Sequence, residues 1–121
     1  MIKTEESIPQ ESSASSCWKE NPNCIALRVE LEEGGIFLLP YKHLAFSHYQ
    51  PGEDGDQLAI VFATHAVIIR GRRLCGLLPA LQKEAVQWVR PIPERYEVIQ
   101  GPEGVAILSI KVETYVREDV E

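Results

Sequence analysis

An α+β domain, a mainly antiparallel sheet or partly open barrel with one short helix, is what this sequence predicts, on three observations. From Ile25 onward apolar and polar residues alternate with a period of two, the signature of half-buried strands. Turns rich in Gly and Pro separate the alternating runs. Past Gly71 the period lengthens, with Leu74, Leu77, Leu78 and Leu81 at i, i+3, i+4 and i+7, which places them on one helical face. There is no strand–helix–strand alternation and no internal repeat, so the helix covers one end or face of the sheet.

The first strand puts Ile25, Leu27, Val29 and Leu31 on one face and Ala26, Arg28 and Glu30 on the other. Glu32-Glu33-Gly34-Gly35 turns the chain, because glycine accepts the positive φ of tight hairpins. The return strand, Ile36-Phe37-Leu38-Leu39, is apolar on both faces and is expected to be central or covered twice. Pro40 breaks that ladder, since it donates no backbone hydrogen bond. Tyr41 to Tyr49 follows as a strand, with Leu44, Phe46 and His48 on one face and Tyr41, His43, Ala45, Ser47 and Tyr49 on the other.

Pro51-Gly52-Glu53-Asp54-Gly55-Asp56 is a loop by its turn chemistry. Leu58, Ile60 and Phe62 alternate, Thr64-His65 marks a tight turn or bulge, and Ala66 to Arg70 forms the next strand. The leucine period then predicts a helix over roughly Arg73 to Glu84. Gly76 costs about 1 kcal/mol against alanine, and Pro79 removes a hydrogen bond and crowds the preceding turn. The helix therefore begins as a loose turn, becomes regular only near Leu78, and is short and kinked. Val86 to Arg90 is a strand ended by Pro91-Ile92-Pro93, pairing resumes over Tyr96 to Ile99, and Gln100 to Gly104 is a turn. The last strand directs Ala106, Leu108, Ile110, Val112, Thr114 and Val116 one way and Ser109, Lys111 and Glu113 the other.

A chain of 121 residues, 45% of them hydrophobic, suits one core and not two. Residues 1–22 are rich in Ser and Glu and carry Pro9 and Pro22. They bury too little apolar surface to offset the entropy of ordering and read as a disordered N-terminal tail. Trp18 is the exception and is expected to dock on the domain. Residues 23–116 form the domain, and 117–121 fray.

Cys17, Cys24 and Cys75 are an odd, sparse set without the pairing of a disulfide framework. Cys75 reads as a small buried residue and the other two as free thiols in a reducing compartment, with a Cys17–Cys24 bridge as the alternative. The first twenty residues hold no signal-like apolar stretch, and no apolar run reaches the ~18 residues of a membrane span. The expectation is a cytoplasmic protein with no membrane contact. A net charge of −6 argues against nucleic-acid or anionic-membrane binding across the whole surface.

Charge is unevenly distributed. Arg70 to Arg95 carries +4, and Arg28 to Asp56 carries −4. That pattern fits a basic patch for an acidic group, or head-to-tail contact between copies of the chain. Arg70-Gly71-Arg72-Arg73 is the densest basic point. It lies where a strand passes into a helix, so its guanidinium forks flank unsatisfied N–H groups suited to a phosphate or carboxylate. His65, at the presumed strand junction, reads first as a local hydrogen-bonding residue that ties the turn, and stands with the arginines as a candidate. Arg70, Arg72, Arg73 and His65 are accordingly the candidate ligand-binding residues, set against the simpler reading of a solvated turn.

Signals for catalysis are weak. His43 and Ser47 share a strand face, yet four residues along a strand is too far for a nucleophile–base contact. No serine elbow and no His-x-His or His-Glu-x-x-His spacing occurs. Glu53-Asp54-Gly55-Asp56 lacks EF-hand spacing and reads as a solvated hairpin tip. No catalytic residue, metal or cofactor is expected. Tyr41, Tyr49, Trp88, Tyr96 and Tyr115 can stack bases only if exposed beside the arginines, and Trp88 follows its strand period into the core.

Tyr41-Lys42-His43-Leu44 and Val67-Ile68-Ile69-Arg70-Gly71 each resemble a fragment of the Sm-like family, small bent-sheet rings that bind RNA. In that family the two types are alternative versions of one motif position, whereas here they stand about 26 residues apart and the second leads into a helix. The run from Tyr41 to Arg90, above all Thr64 to Leu74, resembles small uncharacterised bacterial proteins, which implies a fold and no chemistry. The expected function is a non-enzymatic interaction domain that self-associates as a homo-oligomer, through a strand edge or its two charge faces. The alternative is a module binding an anionic ligand or single-stranded RNA at the arginines, and a third reading is an enzyme using His43 or His65.

Overall fold

The computed structural model describes residues 17–92 and 104–115. These form eight strands in two four-stranded sheets. The first sheet contains β1 (Trp18–Glu20), β2 (Ala26–Glu30), β3 (Ile36–Pro40) and β7 (Val86–Val89), in the order β1-β7-β2-β3. The second contains β4 (Leu44–Gln50), β5 (Asp56–Phe62), β6 (His65–Arg72) and β8 (Ala106–Thr114), in that order. Among the described residues both sheets stay open, so the α+β architecture holds without a closed barrel. Pairing is antiparallel except between β2 and β7, which run parallel with Arg28 opposite Trp88. The exception follows from topology: the helical segment carries the chain from the second sheet back to the first, and β7 enters between β1 and β2.

Alternation puts one apolar face of each sheet into a shared core. Leu27, Val29 and Leu39 meet Leu58, Ile60, Phe62, Val67 and Ile69, and the helical leucines close the end. The helix has the expected kinked form. Leu74–Leu77 is a 3₁₀ turn, and α1 (Leu78–Gln82) is regular, with Pro79 in its first turn, where no intrahelical bond is lost. Leu74, Leu77 and Leu81 are buried. Past α1, Glu84 takes a left-handed φ of 56°, and the N–H groups of Glu84 and Ala85 donate to Leu81 and Ala80, the bonds that close a helix C-terminus.

Several expectations are corrected. The tail does not extend to residue 22: Cys17 is buried and Trp18–Glu20 forms β1, pairing with β7. Trp18 thus joins the domain as part of a strand. Tyr41–His43 is a 3₁₀ turn and not strand, because Pro40 at φ −65° ends β3 and redirects the chain to the second sheet. Tyr41 is buried with its hydroxyl donating to the Val86 carbonyl at 2.6 Å, and burial pushes its phenol above the ordinary range. A bulge between Leu44 and Phe46 shifts the phase of β4, leaving Phe46 exposed.

A second bulge, opposite Gly71, shifts β8, so Ile107 and not Leu108 enters the core. A Cβ on Gly71 would overlap the Ala106 carbonyl oxygen, which makes glycine obligatory there. Trp88 is buried, but beside Arg28 on the outer face of its sheet and outside the core cluster. The guanidinium carbons of Arg90 and Arg28 lie 4.9 and 6.0 Å from its ring centre. The thiol assignments exchange: Cys17 is buried and donates to the Val105 carbonyl, whereas Cys75 is exposed, and all three cysteines are free. Burial raises the Cys17 and Cys24 thiols above their ordinary range. The pairing expected at Tyr96–Ile99, most of the Gln100–Gly104 turn, and residues 1–16 and 117–121 lie outside the described residues.

Candidate functional site

Two places on the surface carry features beyond those of the core. The first is a cleft of about 480 Å³ at one end of the second sheet, where the β4–β5 loop meets the turn after β6. Arg72 and Arg73 line it together with Tyr49, Asp56 and Cys75. Arg73 adopts the left-handed conformation, φ 56° and ψ 36°, and so turns the chain from β6 into the 3₁₀ segment. Asp56 holds this corner together. One of its carboxylate oxygens accepts both the Leu74 N–H and the Tyr49 hydroxyl, each at 3.0 Å. Desolvation, and next the Asp56 carboxylate, push the Tyr49 phenol up to about 12.

Only part of the predicted set assembles here. Arg70 lies instead on the outer face of the second sheet, beside Gln57, Ser109 and Lys111 around a separate depression of about 380 Å³. His65 stands at the opposite end of β6 from Arg72, roughly 23 Å away at the rise of a strand. Its ring packs against Phe37, with 5.5 Å between centres, and its Nδ1 meets the Thr64 hydroxyl at 2.7 Å. His43 sits exposed on the Tyr41–His43 turn, and neither histidine lines the two clefts above.

Part of the charge separation seen in sequence closes in space. Asp56 pairs with Gly71 and Gln57 with Arg70, so the acidic β4–β5 loop lies at the same end as the arginines. Of the candidate stacking aromatics among the described residues, Tyr49 alone reaches the arginine cleft. Tyr41 and Trp88 are buried, Tyr115 is exposed just past the end of β8, and Tyr96 lies outside the described residues.

The second place is β3, which the sequence pattern did not single out. Its four leading residues, apolar on both faces, were expected to lie centrally or to be covered twice. Among the described residues β3 is instead an edge strand: β2 pairs one side and no strand pairs the other. Phe37 and Leu39 face the core, while Ile36 and Leu38 are 59% and 66% exposed. Pro40 was the available signal, since proline within a strand marks an edge.

Among the described residues no group of three His, Cys, Asp or Glu side chains is arranged to hold a metal, and no helix is long and apolar enough to cross a membrane. No family model, no curated protein and no solved structure matches the chain.

Proposed function

We propose that this chain is a non-enzymatic interaction domain that assembles with copies of itself through an exposed strand edge. The observation that carries the reading is β3: an uncharged strand patterned for cover on both faces, with Ile36 and Leu38 open to water. Unpaired strand edges template pairing, and soluble proteins normally blunt them with charge or distortion. The acidic β4–β5 loop and Arg70–Arg73 lie at one end of the second sheet, which favours the strand edge over charge faces as the route. Sedimentation of the purified protein across micromolar concentrations tests the reading. A dimer or larger species that persists as salt rises is the expected result, and a monomer throughout refutes it.

A second reading rests on the Arg72–Arg73 cleft. Two guanidinium groups on one concave surface suit an anionic ligand or a single-stranded RNA phosphate. Titration with inorganic phosphate and with a short RNA, for the parent and for a variant carrying Arg72→Ala and Arg73→Gly, tests it. Binding lost in the variant and steeply weakened by salt supports this reading, and unchanged binding removes the site.

A further inference from the structure

We infer that β3 pairs antiparallel with β3 of a second copy about a two-fold axis at Phe37, so that Ile36 of each copy lies opposite Leu38 of the other. The inference rests on the self-association reading and gives it a surface, a symmetry and a register.

The surface follows from comparing four edges. β1 has three residues, carries Lys19 and Glu20, and is irregular between them. β4 is bulged near its start and bears Ser47, His48 and Gln50. β8 is bulged opposite Gly71 and exposes Ser109, Lys111 and Glu113. Charge, proline and bulges are devices that prevent edge-to-edge pairing. β3 carries only the last-placed Pro40: its ladder with β2 is regular over all five residues, and no side chain on it is charged.

The register follows from hydrogen-bond phase. Leu31 N–H donates to the Gly35 carbonyl at 2.8 Å, and Tyr41 N–H donates to the Ile25 carbonyl at 3.0 Å. In an antiparallel ladder the bonded pairs alternate, so Val29–Phe37 and Leu27–Leu39 are the bonded pairs between these two. Phe37 and Leu39 therefore direct their backbone groups at β2, and Ile36, Leu38 and Pro40 direct theirs at the open edge. Pro40 has no N–H, so the open edge holds donors at Ile36 and Leu38 only.

A two-fold axis at Leu38 would set Ile36 against Pro40 and leave one bond of each such pair unmade. An axis at Phe37 sets Ile36 against Leu38 and satisfies every donor and acceptor of both residues. It also brings the half-buried Phe37 rings of the two copies side by side as a non-hydrogen-bonded pair, the closer kind of neighbour.

Flanking charge does not oppose this arrangement. On β2, Glu30 lies beside Ile36 and Arg28 beside Leu38. Arg28 Nε and Glu30 Oε2 pair with each other at 2.9 Å within each copy, so Ile36 and Leu38 form an apolar seam with that ion pair behind it. Two four-stranded sheets become one continuous sheet of both copies, an isologous contact that closes on itself.

Cysteine pairs test this register directly. In a Cys75→Ser background, the variants Ile36→Cys, Leu38→Cys and the double variant are oxidised mildly and separated without reductant, while sedimentation reports their association. Opposed bonded residues stand about 5.5 Å apart between Cα atoms, inside the range a disulfide spans. In this register the two Leu38 positions are diagonal, beyond the ~7 Å limit. The double variant should cross-link at least about tenfold faster than either single variant.

Rapid cross-linking by Leu38→Cys alone moves the axis to Leu38 and overturns the register while self-association stands. A dimer that no variant cross-links overturns the surface. A monomer at every concentration overturns the reading beneath both. Leu38→Pro gives an independent check, since that N–H makes no bond to β2: it should weaken association at least about tenfold. An unchanged association constant for a folded Leu38→Pro protein contradicts the pairing.

Discussion

Among the described residues β3 and β8 are both edge strands, yet their open edges differ in every feature that matters for pairing. β8 is long and carries Lys111, Glu113 and Ser109 on its outward face, with a bulge near its start. β3 is short, regular and uncharged, with two branched aliphatic residues open to water. An edge strand reveals little by its position alone. What separates a protected edge from an unprotected one is charge, proline or distortion along it, and of these β3 carries only its last-placed Pro40. Substitutions on the two strands, and then at the arginine corner and the end of α1, sharpen the contrast.

The bulge on β8 depends on Gly71, where the partner backbone leaves no room for a side chain. Gly71→Val should destabilise the fold by about 3 kcal/mol through overpacking, measured by urea unfolding. The matching change on β3, Leu38→Lys, should leave monomer stability within about 0.5 kcal/mol, since Leu38 touches little within its own chain. Sedimentation should nevertheless report a monomer. Lys111→Ser on β8, a charge change of the same size and opposite sign, should leave assembly as it was.

The corner at the arginine cleft gives an intermediate effect. Asp56→Asn exchanges a charged acceptor for a neutral one against the Leu74 N–H and the Tyr49 hydroxyl, and should cost about 1–2 kcal/mol in unfolding free energy. The Tyr49 phenol sits up at about 12. A group raised on folding stabilises the native state fully below its unfolded pKa and loses that contribution as pH climbs through the folded one. The Tyr49 contribution should therefore be complete below about pH 10 and decline from there toward pH 12. Ultraviolet phenolate absorbance should show Tyr49 ionising late, and earlier in Asp56→Asn. The smallest effect belongs to Glu84, a left-handed residue at the close of α1. Glu84→Gly should stabilise by about 1 kcal/mol in thermal melts, because glycine takes that conformation without a Cβ clash.

Local chemistry made much of this architecture legible before any coordinates. The leucine period located the helical segment, and Gly76 and Pro79 foretold its irregular start, since both act within one turn. Gly34-Gly35 located the β2–β3 hairpin for the same reason. The division into two sheets was not legible, because the β2–β7 pair joins residues far apart in the chain and leaves no local trace. Bulges escaped too: one extra residue opposite Gly71 exchanged Leu108 for Ile107 without altering the apparent alternation.

At the candidate sites, Arg72 and Arg73 were found from sequence and share a cleft, but Arg70 and His65 fell elsewhere because strand geometry spreads neighbours in sequence. Composition alone misplaces the β3 edge. Ile36 to Leu39 carries the apolar content of a buried central strand, and only Pro40 marks it as an edge.

Hydrogen exchange at four adjacent backbone amides tests the central claim most directly. Phe37 and Leu39 amides face β2 and should be protected at every protein concentration, whereas Ile36 and Leu38 amides should exchange freely in dilute solution and become protected as concentration rises. Ile36 and Leu38 amides that stay unprotected while the protein sediments as a dimer would contradict pairing at β3.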